Sequence, residues 1–293
     1  MLLEGWLVGP GLWAELYATV GHILTGLLIL LILNAREESQ SPLGWILAVV
    51  IAPYLAGLAY LIFGGYRVRA MARYRASSDL RYMHELPEER GGLPAAPAGE
   101  RLASTPERAA ELDYPFTAGN RVEILTHGED KYARLEADIR AARSHIHLAY
   151  YVWSSDATGA WLRDLLVAKA EEGVEVRVLY DAWGALGAGR FLRPLRRAGG
   201  EVRAFASLIS PASALSANLR NHRKIAVIDG ERAYTGGINI GNDYRGREGP
   251  KQWRDMHLRL AGPVVAQIAT VFAKDWYFTC GELLTGDALF PAV

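Results

Sequence analysis

Asn221 to Asn239 reads NHRKIAVIDGERAYTGGIN. His222 and Lys224 are two residues apart, which on a strand puts both side chains on one face. Asp229 has the opposite parity, and Asp229-Gly230 is a strong two-residue hairpin signal. The chain returns through Ala233-Tyr234-Thr235 to Gly236-Gly237, where glycines let backbone approach a ligand closely. Asn239 follows with an amide able to donate to an oxyanion. These residues suit attack on phosphorus. An imidazole serves as nucleophile and forms a covalent intermediate, while an ammonium and an amide hold the charge that builds on the phosphoryl oxygens. The competing reading is an ordinary edge hairpin with a polar rim.

Working outward, strands and helices alternate on both sides of this hairpin. Strands are expected at Arg121–Leu125, His145–Trp153, Val174–Tyr180, Glu201–Phe205 and Met256–Leu260. Helices are expected at Lys131–Arg143, Gly159–Glu172, Arg190–Ala198 and Val264–Tyr277. The alternation predicts an α/β unit over residues 121–293, a sheet with parallel crossovers and helices on its faces. Ala206–Leu219 is loop-like and delivers the chain to His222. A nucleophilic imidazole needs a carboxylate on its other nitrogen to fix the tautomer. Asp255 is the candidate, with Glu248 behind it; the alternative role for Asp255 is a salt bridge with Arg254 or another arginine. His145 and His147 share a strand face but have no Cys or carboxylate pattern that would make a metal site, so they read as packed or edge histidines. His257 shares parity with Asp255 and is placed at the pocket wall.

Residues 1–84 have a different character. Leu16–Leu33 is almost entirely apolar, broken only by Thr19, His22 and Thr25. As a helix it reaches about 27 Å, close to the hydrocarbon thickness of a bilayer. Gly44–Phe63 is a second apolar run, with Pro53 inside it as a kink. Two transmembrane helices are therefore expected, at about 13–34 and 44–64, with Trp13, Tyr17, Trp45, Tyr60 and Tyr66 near the interfaces. His22 is unusual inside a span and reads as a lipid contact or, better, a helix–helix hydrogen bond. Arg67, Arg69, Arg73, Arg75 and Arg81 follow the second run against only Asp79. That bias puts both ends of the hairpin in the cytoplasm, or holds anionic headgroups, or both. Residues 85–120 hold Pro87, Pro94, Pro97, Pro106 and Pro115 and read as a tether or a lid, with a short helix possible at Thr105–Leu112.

The chain has 32 Lys and Arg against 32 Asp and Glu, so bulk charge gives no reason to expect a nucleic-acid partner. Its single Cys280 excludes an internal disulfide framework.

His-x-Lys-x4-Asp from His222 to Asp229, followed by Gly236-Gly237-x-Asn239, resembles the signature of the phospholipase D superfamily. Ser41-Pro42-Leu43-Gly44-Trp45, Leu61-Ile62-Phe63-Gly64, Asn218 to Lys224, Trp183-Gly184, Trp253-Arg254-Asp255 and Asp275-Trp276-Tyr277 look like the membrane region and first catalytic half of a bacterial cardiolipin synthase. The resemblance implies a phospholipase D-like mixed sheet behind a two-helix membrane hairpin, in the inner membrane with the catalytic unit cytoplasmic. It implies His222 as nucleophile and Lys224 and Asn239 as phosphate ligands, with no metal and no cofactor. Asp229 belongs to the motif, although its parity gives it a turn or strand-end task rather than proton transfer. The implied reaction joins two phosphatidylglycerols into cardiolipin and glycerol through a phosphohistidine.

The superfamily builds one site from two such motifs, one histidine attacking and the other protonating the leaving alkoxide. No second His-x-Lys occurs among the 7 histidines of this chain. The expectation is a naturally short form that pairs as a homodimer, or a truncated chain completed by a second catalytic half. Two rival readings remain: a phosphodiesterase that uses water, and a silent half that binds anionic lipid or a partner.

Overall fold

The computed structural model describes residues 10–34, 42–63, 65–85, 116–205, 220–246 and 253–286. Residues 75–210 with 220–293 form one unit, and residues 1–74 with 211–219 form another.

In the larger unit, the hairpin of the quoted stretch is β5 (Lys224–Ile228) and β6 (Arg232–Gly236). Every residue of β5 is buried, which requires a strand covered on both faces rather than a rim. The other strands are β1 (Arg121–Leu125), β2 (His145–Tyr150), β3 (Glu175–Asp181), β4 (Glu201–Phe205) and β7 (His257–Ala261). They form one seven-stranded sheet in the order β1-β7-β6-β5-β2-β3-β4. Only β2–β3 and β3–β4 pair in parallel; the other pairings are antiparallel. The sheet is therefore mixed. The β2-to-β3 and β3-to-β4 connections carry helices, whereas the tight turn after β5 reverses the chain.

One face carries Ile146, Leu148, Val176, Val178, Ala226, Ile228 and Tyr234, packed under α5 (Gly128–Ala141) and α6 (Ala157–Glu171) through Leu135, Ile139, Leu162 and Leu166. The other face meets α10 (Val264–Cys280), whose Val265, Ala269, Phe272, Ala273 and Trp276 recur at helical spacing and are buried. The expected helix at 190–198 is two short ones, α7 (Ala188–Phe191) and α8 (Arg193–Arg197), because Pro194 at the start of α8 cannot continue the preceding turn. A final short helix, α9 (Asn242–Arg245), follows β6. β2 stops at Tyr150, three residues before the expected end, and Trp153 makes only an isolated bridge to Ile240.

In the smaller unit, α1 spans Pro10–Asn34. Its Trp13–Leu30 segment is, among the described residues, the one helix long and apolar enough to cross a membrane. Leu16, Val20, Ile23, Leu27 and Leu30 are exposed along it, a surface that water does not favour. The second apolar run is two helices, α2 (Pro42–Ile51) and α3 (Pro53–Phe63). Pro53 has no N–H, and the backbone bonds resume on either side, Ala52 N–H to Ala48 O at 2.9 Å and Ala56 N–H to Ala52 O at 2.8 Å. Leu28 of α1 packs with Val49, Ala56 and Tyr60. The His22 ring nitrogen lies 2.6 Å from Ala18 O on its own helix. That bond is intrahelical, where a helix–helix hydrogen bond was expected, and the ring is exposed. The basic run Arg67–Arg81 lies on α4 (Gly65–Glu85), of which residues 65–74 belong to this unit and 75–85 to the larger one. The possible helix at Thr105–Leu112 and most of the Pro-rich segment lie outside the described residues.

Candidate active site

The site forms where β5 begins. Asn221 to Arg223 run alongside Tyr151, whose N–H donates to Arg223 O at 3.0 Å. Two buried carboxylates from distant strand and helix ends fix this entry. Asp181, at the end of β3, accepts from Asn221 N–H at 2.8 Å, and from the N–H groups of Trp183 and Gly184 at 2.9 and 2.8 Å. Asp275, on α10, accepts from Asn221 Nδ2 at 2.8 Å and Arg223 Nε at 2.7 Å, and is paired with Arg75. Charged acceptors of this kind contribute about 1.5–3 kcal/mol per bond, so the backbone on each side of His222 is held firmly.

His222 itself is exposed, with its ring 4.3 Å from that of Tyr151. Lys224 is buried. Its Nζ lies 3.1 Å from His222 Nδ1 and donates to His222 O at 2.9 Å. Burial pushes the Lys224 amine down to about 8, although the Asp255 and Asp181 charges pull it back up. Desolvation, and then the Lys224 charge, lowers the His222 imidazole, with Asp181 opposing. An imidazole held neutral is the form that can attack.

Asp255 is exposed and sits against Gly237, where an added Cβ would come within 2.0 Å of its carboxylate. The two glycines thus admit the protein's own groups: Gly237 makes room for Asp255, and Gly236, at φ 151°, for His257. The Asp255 carboxylate accepts from Met256 N–H at 2.8 Å, and its charge acts on Lys224. Among the described residues no hydrogen bond joins Asp255 to His222; the carboxylate whose charge reaches His222 is Asp181. Glu248 lies outside the described residues.

Asn239 is buried, with Oδ1 accepting from Val152 N–H at 3.1 Å and Nδ2 donating to Tyr244 OH at 2.8 Å. One amide hydrogen remains for another acceptor. Asp229 lies at the far end of β5 from His222, in a left-handed conformation (φ 51°). Its carboxylate accepts from the N–H groups of Arg143, Ser144 and His145, each at 2.9 Å. It ties the turn to the start of β2 and takes no part in the His222 pocket. His145 and His147 face α10, where His147 stacks on Phe272 at 4.7 Å. His257 is fully buried, with its Nδ1 3.4 Å from Ile238 N. Asp181, Asp275 and Tyr151 are the members that sequence reasoning did not place in the site. The Asp275-Trp276-Tyr277 and Trp183-Gly184 stretches were signals for two of them, without their roles.

An exposed imidazole beside a buried lysine at the head of a hairpin, on a mixed sheet covered by helices, is the geometry that the His222-x-Lys224 motif takes here. Residues 135–276 match the family described as cardiolipin synthase, PLD-like domain, and residues 23–65 the one described as phospholipase D-nuclease N-terminal. The chain is 37% identical over 263 residues to the major cardiolipin synthase ClsA of Bacillus subtilis (strain 168), covering 85% of this chain and 54% of that one. It is 34% identical over 273 residues to cardiolipin synthase A of Pseudomonas syringae pv. syringae, covering 89% and 56%. Among solved structures, a phospholipase D family member, Nuc from Salmonella typhimurium, overlays with a TM-score of 0.43 at 16% identity, over 55% of this chain and 96% of that one. Residues 135–276 thus carry the PLD-like domain of the cardiolipin synthase family, and the chain spans about half the length of the curated relatives it matches.

Proposed function

We propose that this chain carries one half of a membrane-bound phosphatidyltransferase site, which joins two phosphatidylglycerols into cardiolipin and glycerol. The observation that carries the reading is the exposed His222 ring with the buried Lys224 ammonium 3.1 Å from its Nδ1. His222 attacks the phosphodiester, the P–O bond to glycerol breaks, and a phosphatidyl-histidine forms. A hydroxyl of the second phosphatidylglycerol then attacks phosphorus, giving its proton to the group that had protonated the departing glycerol, and the P–N bond breaks. Lys224 and the spare N–H of Asn239 take the charge on the phosphoryl oxygens. Asp255 acts by keeping Lys224 charged.

The acid that protonates the departing glycerol comes from a second His222 in a homodimer or from a second catalytic half. The two apolar runs form a membrane hairpin of the inner membrane, with the catalytic unit on the cytoplasmic side, where the Arg-rich flank favours it. Both substrates then remain in the bilayer plane beside the site. The test places the 293-residue chain in phosphatidylglycerol vesicles and reads lipid products by mass across protein concentrations. Cardiolipin that rises more than linearly with protein and vanishes in His222→Ala supports a site shared by two chains. Phosphatidic acid alone would replace transfer by hydrolysis, and no product would leave a silent half.

A further inference from the structure

Beside the reaction centre lies a cavity of about 540 Å³, a size typical of small-molecule sites. It is bounded by the start of α5, the end of α9 and the Trp253–Asp255 stretch. Two of its walls are also parts of the reaction centre. Asp255 lines it while its charge acts on Lys224, and Tyr244 lines it while accepting the amide N–H of Asn239.

The walls are held in place. A Cβ on Gly128 would overlap the Tyr244 carbonyl oxygen, so the start of α5 is pressed directly on the end of α9. The Arg245 guanidinium lies over the Trp161 ring at 4.3 Å, and Trp253 N–H donates to Asp243 O at 2.9 Å.

The lining mixes charges of both signs: Glu129, Asp130 and Asp255 with Arg245 and Arg254. An acyl chain would strip water from all five. A phosphate would meet three carboxylates against only two guanidinium groups. A neutral polyol fits both kinds, because each hydroxyl donates to a carboxylate and accepts from a guanidinium. We propose that this cavity seats the glycerol headgroup, both of the acceptor phosphatidylglycerol and of the glycerol that leaves. The assignment rests on the phosphatidyl-transfer reading. In that reaction the acceptor hydroxyl takes the place on phosphorus that the leaving glycerol vacates, so one polyol site serves both steps.

The test uses the full chain in phosphatidylglycerol vesicles with the double variant Glu129→Gln, Asp130→Asn. The ratio of cardiolipin to phosphatidic acid should fall about tenfold, because water needs no polyol seat. An unchanged ratio would overturn the assignment. A second arm reads binding and not activity. It titrates the soluble headgroup glycerophosphoglycerol against the Trp253 indole N–H signal, assigned with Trp253→Phe. Saturable shifts in the wild type, weakened at least fivefold in the double variant, support the site even in a chain that forms no product. Shifts that are absent, or equal in both proteins, would overturn it, while the transfer reading would still stand or fall on the vesicle products.

Discussion

Lys224 Nζ sits 3.1 Å from His222 Nδ1 and 2.9 Å from the same residue's carbonyl oxygen. A charged Lys224 can only donate to Nδ1, which leaves the imidazole proton on Nε2. Attack through Nε2 needs the opposite tautomer. Substrate phosphate therefore has a task beyond being attacked: by drawing the ammonium towards its own oxygens, it frees Nδ1 to carry the proton.

Anion binding at this site follows the Lys224 charge. Its amine is held at about 8 instead of the ordinary 10.5, with burial the largest cause. Affinity for inorganic sulfate, whose own charge is constant, should fall as pH rises through about 8, measured by calorimetry between pH 6.5 and 9.5. Lys224→Met should abolish that pH dependence and also move the His222 titration upward towards 6.5 in NMR, since one of its two lowering causes is removed. A His222 titration that stays in place would show that Lys224 does not act on it.

Asp275 should be a stability residue as much as a site residue. It is wholly buried and accepts from Asn221, Arg223 and Arg75. Asp275→Ala leaves two guanidinium groups without their partner and should cost about 3 kcal/mol in urea unfolding, the low end for a broken buried pair because both arginines keep some solvent. A cost under about 1 kcal/mol would mean that the network is incidental.

Acid should destabilise the catalytic unit through histidines outside the chemistry. Burial holds His145 and His147 at about 3 and His257 at about 2, all far below 6.5. Between those values the unfolded chain binds protons that the folded chain refuses. Stability is therefore full above about pH 6.5 and is lost as pH falls towards 3. The urea midpoint should drop from pH 7.5 to 5, and His147→Phe, which keeps the stack on Phe272, should flatten that slope.

Lys131 is fully buried on α5, its Nζ 4.2 Å from the Tyr132 ring centroid and 4.9 Å from that of Tyr150 but, among the described residues, without a hydrogen-bond partner, and burial pushes its amine well below the usual range. Lys131→Met keeps the chain length and removes the unsatisfied amine, so it should stabilise the fold by about 1–3 kcal/mol. A loss of that size in thermal unfolding would mean instead that the amine is satisfied by an internal water.

The hairpin was legible because its signals are local. Asp229-Gly230 supplies two left-handed residues in a row, φ 51° and 64°. Even so, the loop is three residues, since Ile228 pairs with Arg232 and Glu231 is left over. The supports of the site were not legible, because they are separated by tens of residues: Asp181 lies 40 positions from Asn221, and Asp275 lies 54. Asp255 was readable as a site neighbour, but its position against Gly237, facing the lysine more than the histidine, is set by how β6 meets β7. Lys131 stands four residues before Leu135 and eight before Ile139, so helical spacing puts it on the same buried face, which its charge alone would not suggest.

In the proposed reaction His222 becomes phosphatidylated. The direct measurement mixes the full chain with phosphatidylglycerol, quenches under alkaline conditions that preserve phosphohistidine, and maps the adduct by peptide mass. A phosphatidyl adduct is expected on the peptide containing His222, absent in His222→Ala. Products formed with no adduct, or an adduct on another residue, would contradict it.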